Sequence, residues 1–254
     1  MILLLTTLTE YLDQLLRIDE FSSIDASLNG LQVEGAGRVN KISLAVDGCR
    51  ASISKAARNR SDMLIVHHGL FWGDQQPVTG IMKKRLELLI RNGISLYAAH
   101  LPLDAHPSLG NNARLAEMLE LNECGGFGEY GGREIGVMGD LTRKITPSGL
   151  ARKIGKILST RVELFDFGKP RIKKLAIVSG SGASLAGEAE EAGCDALLTG
   201  ERSHSVYHSA YERGITLLCA GHYATETVGI KAVGQHLARE FKLDTLFLDI
   251  PTGV

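Results

Sequence analysis

One pattern of segments occurs twice in the chain, and it limits the fold more than any other feature of the sequence. The first copy is a strand, a helix and a strand, predicted over Lys41–Asp47, Ala51–Arg58 and Asp62–Val66. The second copy repeats this order over Lys174–Val178, Ala183–Ala192 and Asp195–Thr199. The offset in residue number from Lys41 to Lys174 is the same as that from Asp62 to Asp195. The spacing is therefore kept from the first strand to the second.

A third strand extends both copies. Residues 92–100 resemble residues 213–222, with Ile94 matched to Ile215. The offset in residue number is smaller here than at the first two strands, because the first copy carries 12 more residues between its second and third strands. This extra length falls at Phe71–Gly80, a polar stretch whose glycines and proline predict a loop.

Apolar strands that alternate with helices predict an α/β fold with mainly parallel sheets flanked by helices. We expect two similar α/β lobes from an internal duplication, over residues 1–125 and 126–254, with a metal site in the cleft between them. The glycine-rich stretch Cys124–Gly132 is the candidate linker.

The composition excludes several classes of protein. Hydrophobic residues make up 44% of the 254 residues and charged residues 22%, as in ordinary globular proteins. The formal net charge of −1 gives no general attraction to nucleic acid, so we do not expect nucleic-acid binding. The four cysteines form no CxxC pair, and no apolar run reaches the roughly 18 residues of a membrane span. We expect a cytoplasmic protein that does not bind membranes.

Histidines and carboxylates follow three of the predicted strands. They are, in chain order, His67 and His68, His100 and Asp104, and His222 and Glu226. Parallel α/β sheets bind ligands beyond the carboxyl ends of their strands, so this placement predicts a binding site. Adjacent strand residues point to opposite faces, so His67 and His68 suit a two-metal cluster in which each histidine binds one ion.

Each of these residues also has an interpretation without metal. In a pair of histidines, one ring can be buried and hydrogen-bonded while the other is solvated. Glu226 lies near the start of a predicted helix over Thr225–Phe241 and could interact with the helix dipole. Asp104 could cap a helix, and His100 could be a ligand, a residue that orients Asp104 or a substrate contact. The concentration at three strand ends favours the metal interpretation.

Five protein ligands leave positions for water on two ions, which is typical of catalytic metal sites. Imidazole mixed with carboxylate suits zinc, iron or manganese, and the sequence does not choose among them. Water activated by the metal would be the nucleophile.

Two further features could belong to a site. Ser179, Gly180, Ser181 and Gly182 lie between a strand and a helix, where backbone N–H groups can bind phosphate or another anion, although a plain glycine-rich turn gives the same pattern. Glu201 lies at the position of the second copy that corresponds to the histidine pair. It could point into the same cleft with His204 or His208, or it could be an ordinary surface acid.

Five segments are distinctive in combination: Asn29–Gly35, His67–Gly69, His100–Asp104, Gly110–Asn112 and Gly221–Glu226. Together they resemble the NGG-one-interacting-factor-three-like family in its short bacterial form, whose members are often described as GTP cyclohydrolase type 2 homologues. The resemblance extends over the whole chain. It implies a dinuclear metal site, two similar α/β lobes and a toroidal homohexamer.

The resemblance also implies roles for individual residues. The implied ligands of two divalent ions are His68 and Asp104 on one ion, His67 and His222 on the other, and Glu226 on both. GTP cyclohydrolase chemistry would mean that metal-activated water attacks C8 of the purine, opens its imidazole ring and releases formate. His100 or Glu201 would then handle protons.

We therefore expect a metal-dependent hydrolase that acts on a nucleotide-like small molecule, with GTP as the candidate substrate. The alternative is a protein that binds or delivers metal without catalysis, or a scaffold that contains metal. Turnover of GTP by the metal-loaded protein separates the two.

Overall fold

The computed structural model describes residues 2–253, in which strands and helices alternate along most of the chain. The elements up to residue 119 are β1 (Leu3–Leu4), α1 (Leu5–Leu16), a 3-10 turn (Ile18–Phe21), β2 (Gly30–Val33), β3 (Arg38–Val39), β4 (Lys41–Asp47), α2 (Arg50–Arg58), β5 (Met63–His68), α3 (Gly80–Arg91), β6 (Ser95–Ala98), α4 (Leu101–Asp104) and α5 (Asn111–Leu119). The later elements are β7 (Leu121–Tyr130), β8 (Arg133–Ile145), α6 (Pro147–Leu158), β9 (Glu163–Phe165), β10 (Ile172–Val178), a 3-10 turn (Gly182–Leu185), α7 (Ala186–Glu191), β11 (Ala196–Thr199), a 3-10 turn (His204–Val206), α8 (Tyr207–Arg213), β12 (Thr216–Cys219), α9 (His222–Phe241) and β13 (Asp244–Phe247).

These elements divide into two compact units. The first contains residues 1–109 and 229–250, and the second contains residues 110–228 and 251–254. The division differs from the predicted boundary after residue 125 for two physical reasons. The buried leucines of α5 pack into the core of the second unit, and β13 pairs with β4 of the first unit.

The first unit is built on a five-stranded sheet with the order β13-β4-β5-β6-β2. The strands β13, β4, β5 and β6 are parallel to their neighbours, and β2 is antiparallel to β6. All of β6 is buried, and β5 is buried from Met63 to His67. Nearly continuous apolar strands of this kind are covered on both faces, as predicted for parallel strands flanked by helices.

The second unit is built on a six-stranded sheet with the order β7-β8-β10-β11-β12-β9. Its central strands β10, β11 and β12 are parallel, whereas β7, β8 and β9 are paired antiparallel to their neighbours. The α/β class is therefore confirmed. The expectation of mainly parallel strands holds for the first sheet, and the second sheet is mixed.

The glycine-rich stretch Cys124–Gly132 is not a linker. Most of it lies in β7, which pairs with β8, and Tyr130 is directly opposite Arg133. The two residues between them, Gly131 and Gly132, have φ angles of 58° and 81°. A two-residue hairpin loop of type I′ requires such positive φ angles at both residues, and glycine adopts them without strain. The glycines of the loop thus mark a hairpin within the second unit.

The two sheets share the register of their central strands. In the first sheet Ile42 lies opposite Met63, and in the second sheet the equivalent positions of the repeat, Leu175 and Ala196, lie opposite each other. The third strands, β6 and β12, continue this agreement, since Met63 lies opposite Ser95 and Ala196 opposite Thr216. A repeated sequence would produce this agreement, and the duplication and the cleft stay predictions.

The helices agree with the sequence patterns, with small shifts. α9 begins at His222, three residues before the predicted start at Thr225, because the N–H of Thr225 donates to the carbonyl of Gly221 and closes an earlier turn. The predicted loop over Phe71–Gly80 is confirmed up to the start of α3. Among the described residues, no helix combines the length and apolar character needed to cross a bilayer.

Candidate metal centre

His67 is fully buried near the carboxyl end of β5. Its Nδ1 lies 2.9 Å from the carbonyl oxygen of Ala99. A carbonyl only accepts hydrogen bonds, so Nδ1 carries the hydrogen and Nε2 of the neutral ring carries the lone pair. The N–H of Ala99 donates to the carbonyl of Val66, which fixes the acceptor next to the ring. The fold thus selects the tautomer in which Nε2 can bind a metal.

His68 is oriented by a carboxylate that our sequence interpretation did not include. Its Nδ1 donates to Oδ1 of Asp47 over 2.9 Å, and Asp47 is the last residue of β4, paired with His68 in the sheet. The rings of His67 and His68 lie with their centroids 4.6 Å apart and their planes at 48°. The two imidazoles are therefore close together, and each has its Nδ1 engaged by an oxygen atom.

Asp104 ends the single turn of α4, which begins directly after His100 and contains Pro102 in its first turn. The side chain is buried, and Oδ2 lies 3.6 Å from Nε2 of His67. Because that nitrogen carries the lone pair, the carboxylate and the imidazole present two metal-binding atoms to one region. The structure thus brings Asp104 together with the histidine pair, as predicted.

His100 lies beside the pair, and its backbone carbonyl accepts a hydrogen bond from the N–H of Asp104, while its ring contacts another carboxylate. Its Nδ1 lies 2.9 Å from Oδ1 of Asp25, whose side chain is only 2% exposed. Burial would raise the pKa of Asp25, but hydrogen bonds from His100, Asn29 and the backbone N–H of Ser27 outweigh it and lower the pKa. One ligand atom from each of His67, His68 and His100 lies within 4.8 Å of the others. We call His67, His68 and Asp104 the first ligand set, and His100 is its neighbour.

His222 and Glu226 form the second ligand set, one turn apart at the start of α9. Nε2 of His222 lies 3.0 Å from Oε1 of Glu226, which is 3% exposed. This hydrogen bond raises the pKa of His222 to about 9, against the effect of burial and with further support from Glu201. The two side chains hold a proton between atoms that could instead bind a divalent cation.

Glu201 lies behind His222. Its Oε1 accepts a hydrogen bond of 2.6 Å from Nδ1 of His222, and its Oε2 accepts one of 3.1 Å from the hydroxyl of Ser181. His204 and His208 are exposed, and the ring of His208 lies against Tyr207. Glu201 therefore orients His222 in the way that Asp47 orients His68.

The segment from Ser179 to Gly182 uses its backbone N–H groups internally. The N–H groups of Ser179, Gly180 and Gly182 donate to side-chain oxygens of Asn112, Thr225 and Thr199. Three of the four groups that an anion would need thus already have acceptors, and the helical turn that follows has only four residues. We assign no ligand to this segment. It instead supports the second ligand set through Ser181 and through Gly180, which lies against Glu226.

The donor atoms fit divalent transition metals. In His67, His68 and His222, Nδ1 is engaged by a carbonyl or carboxylate oxygen, which is the usual arrangement behind histidines that bind metal through Nε2. Two buried carboxylates accompany them, Asp104 and Glu226. Imidazole and carboxylate together suit zinc, iron or manganese better than calcium.

The residues that sequence reasoning missed are those behind the histidines. Asp47 ends a predicted strand, so the rule that found His67 and His68 would also have found it. Asp25 lies in an irregular segment, and no periodicity or strand end marks it. The carbonyl of Ala99 has no sequence signal, because every residue carries one.

Known proteins resemble this chain over nearly all of its length. A family model for Duf34/NIF3 (NGG1p interacting factor 3) matches residues 3–252. A Pyrococcus abyssi protein named GTP cyclohydrolase 1 type 2 homolog is 42% identical over 248 residues, covering 97% of this chain and 98% of its own. A protein of the same name from Deinococcus radiodurans is 40% identical over 247 residues, covering 97% of this chain and 93% of its own. The crystal structure of TTHA1606 from Thermus thermophilus has a TM-score of 0.93 at 41% identity, covering 99% of this chain and 100% of that one.

Proposed function

Because the chain belongs to the Duf34/NIF3 (NGG1p interacting factor 3) family, we propose that it is a hydrolase that uses two divalent metal ions per chain. Its substrate is a nucleotide-like small molecule, with GTP as the candidate. The observation that carries the proposal is the orientation of His67, His68 and His222, in which an oxygen atom engages each Nδ1 and directs Nε2 towards a ligand.

The proposed metal ligands are His67, His68 and Asp104 of the first set and His222 and Glu226 of the second. Divalent cations supply Lewis acidity and make water acidic enough to react near neutral pH. The names of the relatives from Pyrococcus abyssi and Deinococcus radiodurans direct the proposal to GTP. In that reaction, one water would add to C8 of the purine and open the imidazole ring to a formamide, and a second water would hydrolyse the formamide to an amine and formate.

We assign proton transfer to His100. Asp25 accepts the hydrogen of Nδ1, so Nε2 of the same ring can take a proton and return it. Asp25 is a positioning residue, because it acts through the ring of His100. Glu201 was the other candidate for proton transfer, and its hydrogen bond to His222 supports an orienting role instead.

The direct test is formate release from GTP by protein reconstituted separately with zinc, manganese and iron. We expect turnover with at least one metal, its loss in Glu226→Ala, and normal turnover in Glu212→Ala, which removes an exposed acid of α8. Asp25→Asn should lower kcat with unchanged metal content and should shift the pH profile of kcat. Absence of turnover with every metal would reject GTP as the substrate.

Failure with a wider panel of nucleotides and phosphoesters would favour the alternative, a protein that binds or delivers metal without catalysis. Metal that an added chelator removes readily would also support binding or delivery without catalysis. We further propose a toroidal homohexamer, as the family resemblance implies, and a cytoplasmic location.

A further inference from the structure

The only tryptophan of the chain, Trp72, lies beside the first ligand set. Its ring centroid is 4.9 Å from that of His100, with the planes at 69°, and 6.0 Å from that of His68. Trp72 follows β5 in the loop that accounts for the extra length of the first copy. The 12 residues by which the first copy is longer therefore place a large aromatic ring next to the candidate metal ligands.

The loop holds this ring in place. Nε1 of the indole donates to the carbonyl of Gly69 over 2.9 Å. On either side of Trp72, backbone bonds tie the loop to an earlier segment: the N–H of Leu28 donates to Phe71, and the N–H of Gly73 donates to Ala26. The indole is thus fixed by its own hydrogen bond and by the backbone around it.

The aromatic residue before Trp72 is part of the hydrophobic core. Phe71 packs against the hydrophobic core of the first unit. Trp72 is half-buried, so part of its ring remains accessible to solvent, and residues 73–80 beyond it are exposed. A rigid, partly accessible indole offers a flat surface on which another aromatic ring can stack.

From this placement we infer that Trp72 is a specificity-determining residue that stacks against the flat aromatic ring of the ligand, the base of a nucleotide. The class of ligand rests on the proposed function. The inference concerns binding of the base, and it holds or fails independently of whether the bound nucleotide is hydrolysed.

Fluorescence offers a direct test, because the emission of the only tryptophan reports on Trp72 alone. Metal-loaded protein is titrated with GTP, ATP and UTP, and with inorganic triphosphate, which has the charges but no ring. We expect saturable quenching by at least one nucleotide and none by triphosphate. If no nucleotide changes the emission, the inference is overturned.

The second test measures the nucleotide affinity of Trp72 variants by calorimetry. Trp72→Leu should bind the quenching nucleotide roughly tenfold to hundredfold more weakly, because stacking on an aromatic side chain provides about that much affinity. Trp72→Phe should lose less, and triphosphate affinity should not change. The control is Tyr211→Leu, which removes an aromatic side chain that is 62% exposed on α8. Metal content is measured in every variant. If Trp72→Leu loses metal, its weaker binding does not count, and the stacking role is then judged from the nucleotide affinity of Trp72→Phe and from the quenching of the wild type.

The outcomes separate the two proposals. Quenching and weakened binding without any formate release would leave the stacking role intact and reject GTP hydrolysis. Formate release with equal nucleotide affinity in wild type and Trp72→Leu would support the hydrolase and overturn the stacking role.

Discussion

At the residue scale, each histidine of the two ligand sets has an oxygen atom behind it. The carbonyl of Ala99 engages His67, the carboxylate of Asp47 engages His68, and that of Glu201 engages His222. Such contacts fix ring orientation and tautomer, and they make Nε2 a better donor to a cation. The contacts of Asp47 and Glu201 are made by side chains, so each of these two can be removed by a single substitution.

Removing the carboxylate behind His222 should weaken metal binding. We expect Glu201→Ala to lose about tenfold to hundredfold in metal affinity, the usual loss when such a partner of a ligand is removed. Glu201→Gln should lose less, because its amide oxygen can still accept from Nδ1. Competition with a chromophoric chelator measures the affinities, and Glu212→Ala is the exposed control. Unchanged affinity in Glu201→Ala would show that the contact is incidental.

Gly180 is required because a side chain there would displace Glu226. A Cβ at this position would lie 2.4 Å from Oε1 of Glu226, and its φ is 61°. Gly193 has a φ of 76° with open space around it, so Gly193→Ala isolates the backbone strain, about 1 kcal/mol. We expect Gly180→Ala to lower the free energy of unfolding by about 1–3 kcal/mol more, and to weaken metal binding.

Urea unfolding and chelator competition on both variants check this prediction. Equal losses of stability in Gly180→Ala and Gly193→Ala, with unchanged metal affinity in both, would contradict the close approach to Glu226.

The residues of the site were predictable to the extent that a strand end marks them. All five candidate ligands lie at or after the end of an apolar strand, and within each unit the structure brings its members close together: His67, His68, Asp104, His222 and Glu226. Asp25 was not predictable, since its contact with His100 depends on how a segment 75 residues away folds. Sequence also could not distinguish an anion-binding turn at Ser179–Gly182 from one whose N–H groups have internal acceptors.

At the element scale, the central strands were predictable and the edge strands were not. β5, β6, β11 and β12 are almost entirely buried, so their sequences are continuous apolar runs. The edge strands β2 and β9 are short and half-exposed, and β7 contains glycines that lower strand propensity. β2, β7 and β9 become strands because they pair with a neighbouring strand. This pairing depends on the tertiary fold, so the local sequence does not predict it. Leu31 of β2 lies opposite Tyr97, and Leu164 of β9 lies opposite Leu218, so β2 and β9 have comparable places at the edges of their sheets.

One carboxylate joins the starts of two central strands in the second unit. Asp195, directly before β11, accepts hydrogen bonds from the backbone N–H groups of Lys173 and Lys174 in β10 and from the amino group of Lys169. Asp62 accepts the corresponding backbone bonds in the first unit. Burial would raise the pKa of Asp195, but these hydrogen bonds outweigh it and lower the pKa.

We therefore expect the stabilisation by Asp195 to depend on pH. Because its pKa is lower in the folded state, the contribution is full above about pH 4, the unfolded value, and is lost as pH falls through the folded pKa. Asp195→Asn should lower the free energy of unfolding by about 1–3 kcal/mol at pH 7 and by less at pH 3. Urea unfolding at both values, with the exposed Asp166→Asn as control, measures this. An equal loss at both values would contradict the assignment.

At the scale of the whole molecule, each unit has its own sheet, its own buried core and its own ligand set near the ends of parallel strands. In the first set, His67 and His68 are the last residues of β5 and Asp104 follows β6, and the second set follows β12. Both sets thus lie where parallel α/β sheets bind ligands.

The proposed assembly predicts the mass in solution. A homohexamer has six times the mass of one chain, which is 27.4 kDa. Light scattering coupled to size-exclusion chromatography measures this mass independently of shape. A single species of one or two chains over a wide range of protein concentrations would contradict the hexamer and leave the metal proposal untouched.

The number of metal ions per chain, measured by elemental mass spectrometry, decides whether the two ligand sets bind metal. Protein is purified without chelator, and a second sample is stripped and reloaded with zinc, manganese or iron. We expect two ions per chain in the wild type and fewer than two when His67 or His222 is replaced by alanine. No stoichiometric metal in the purified protein, and none taken up on reloading, would contradict the proposed metal centre.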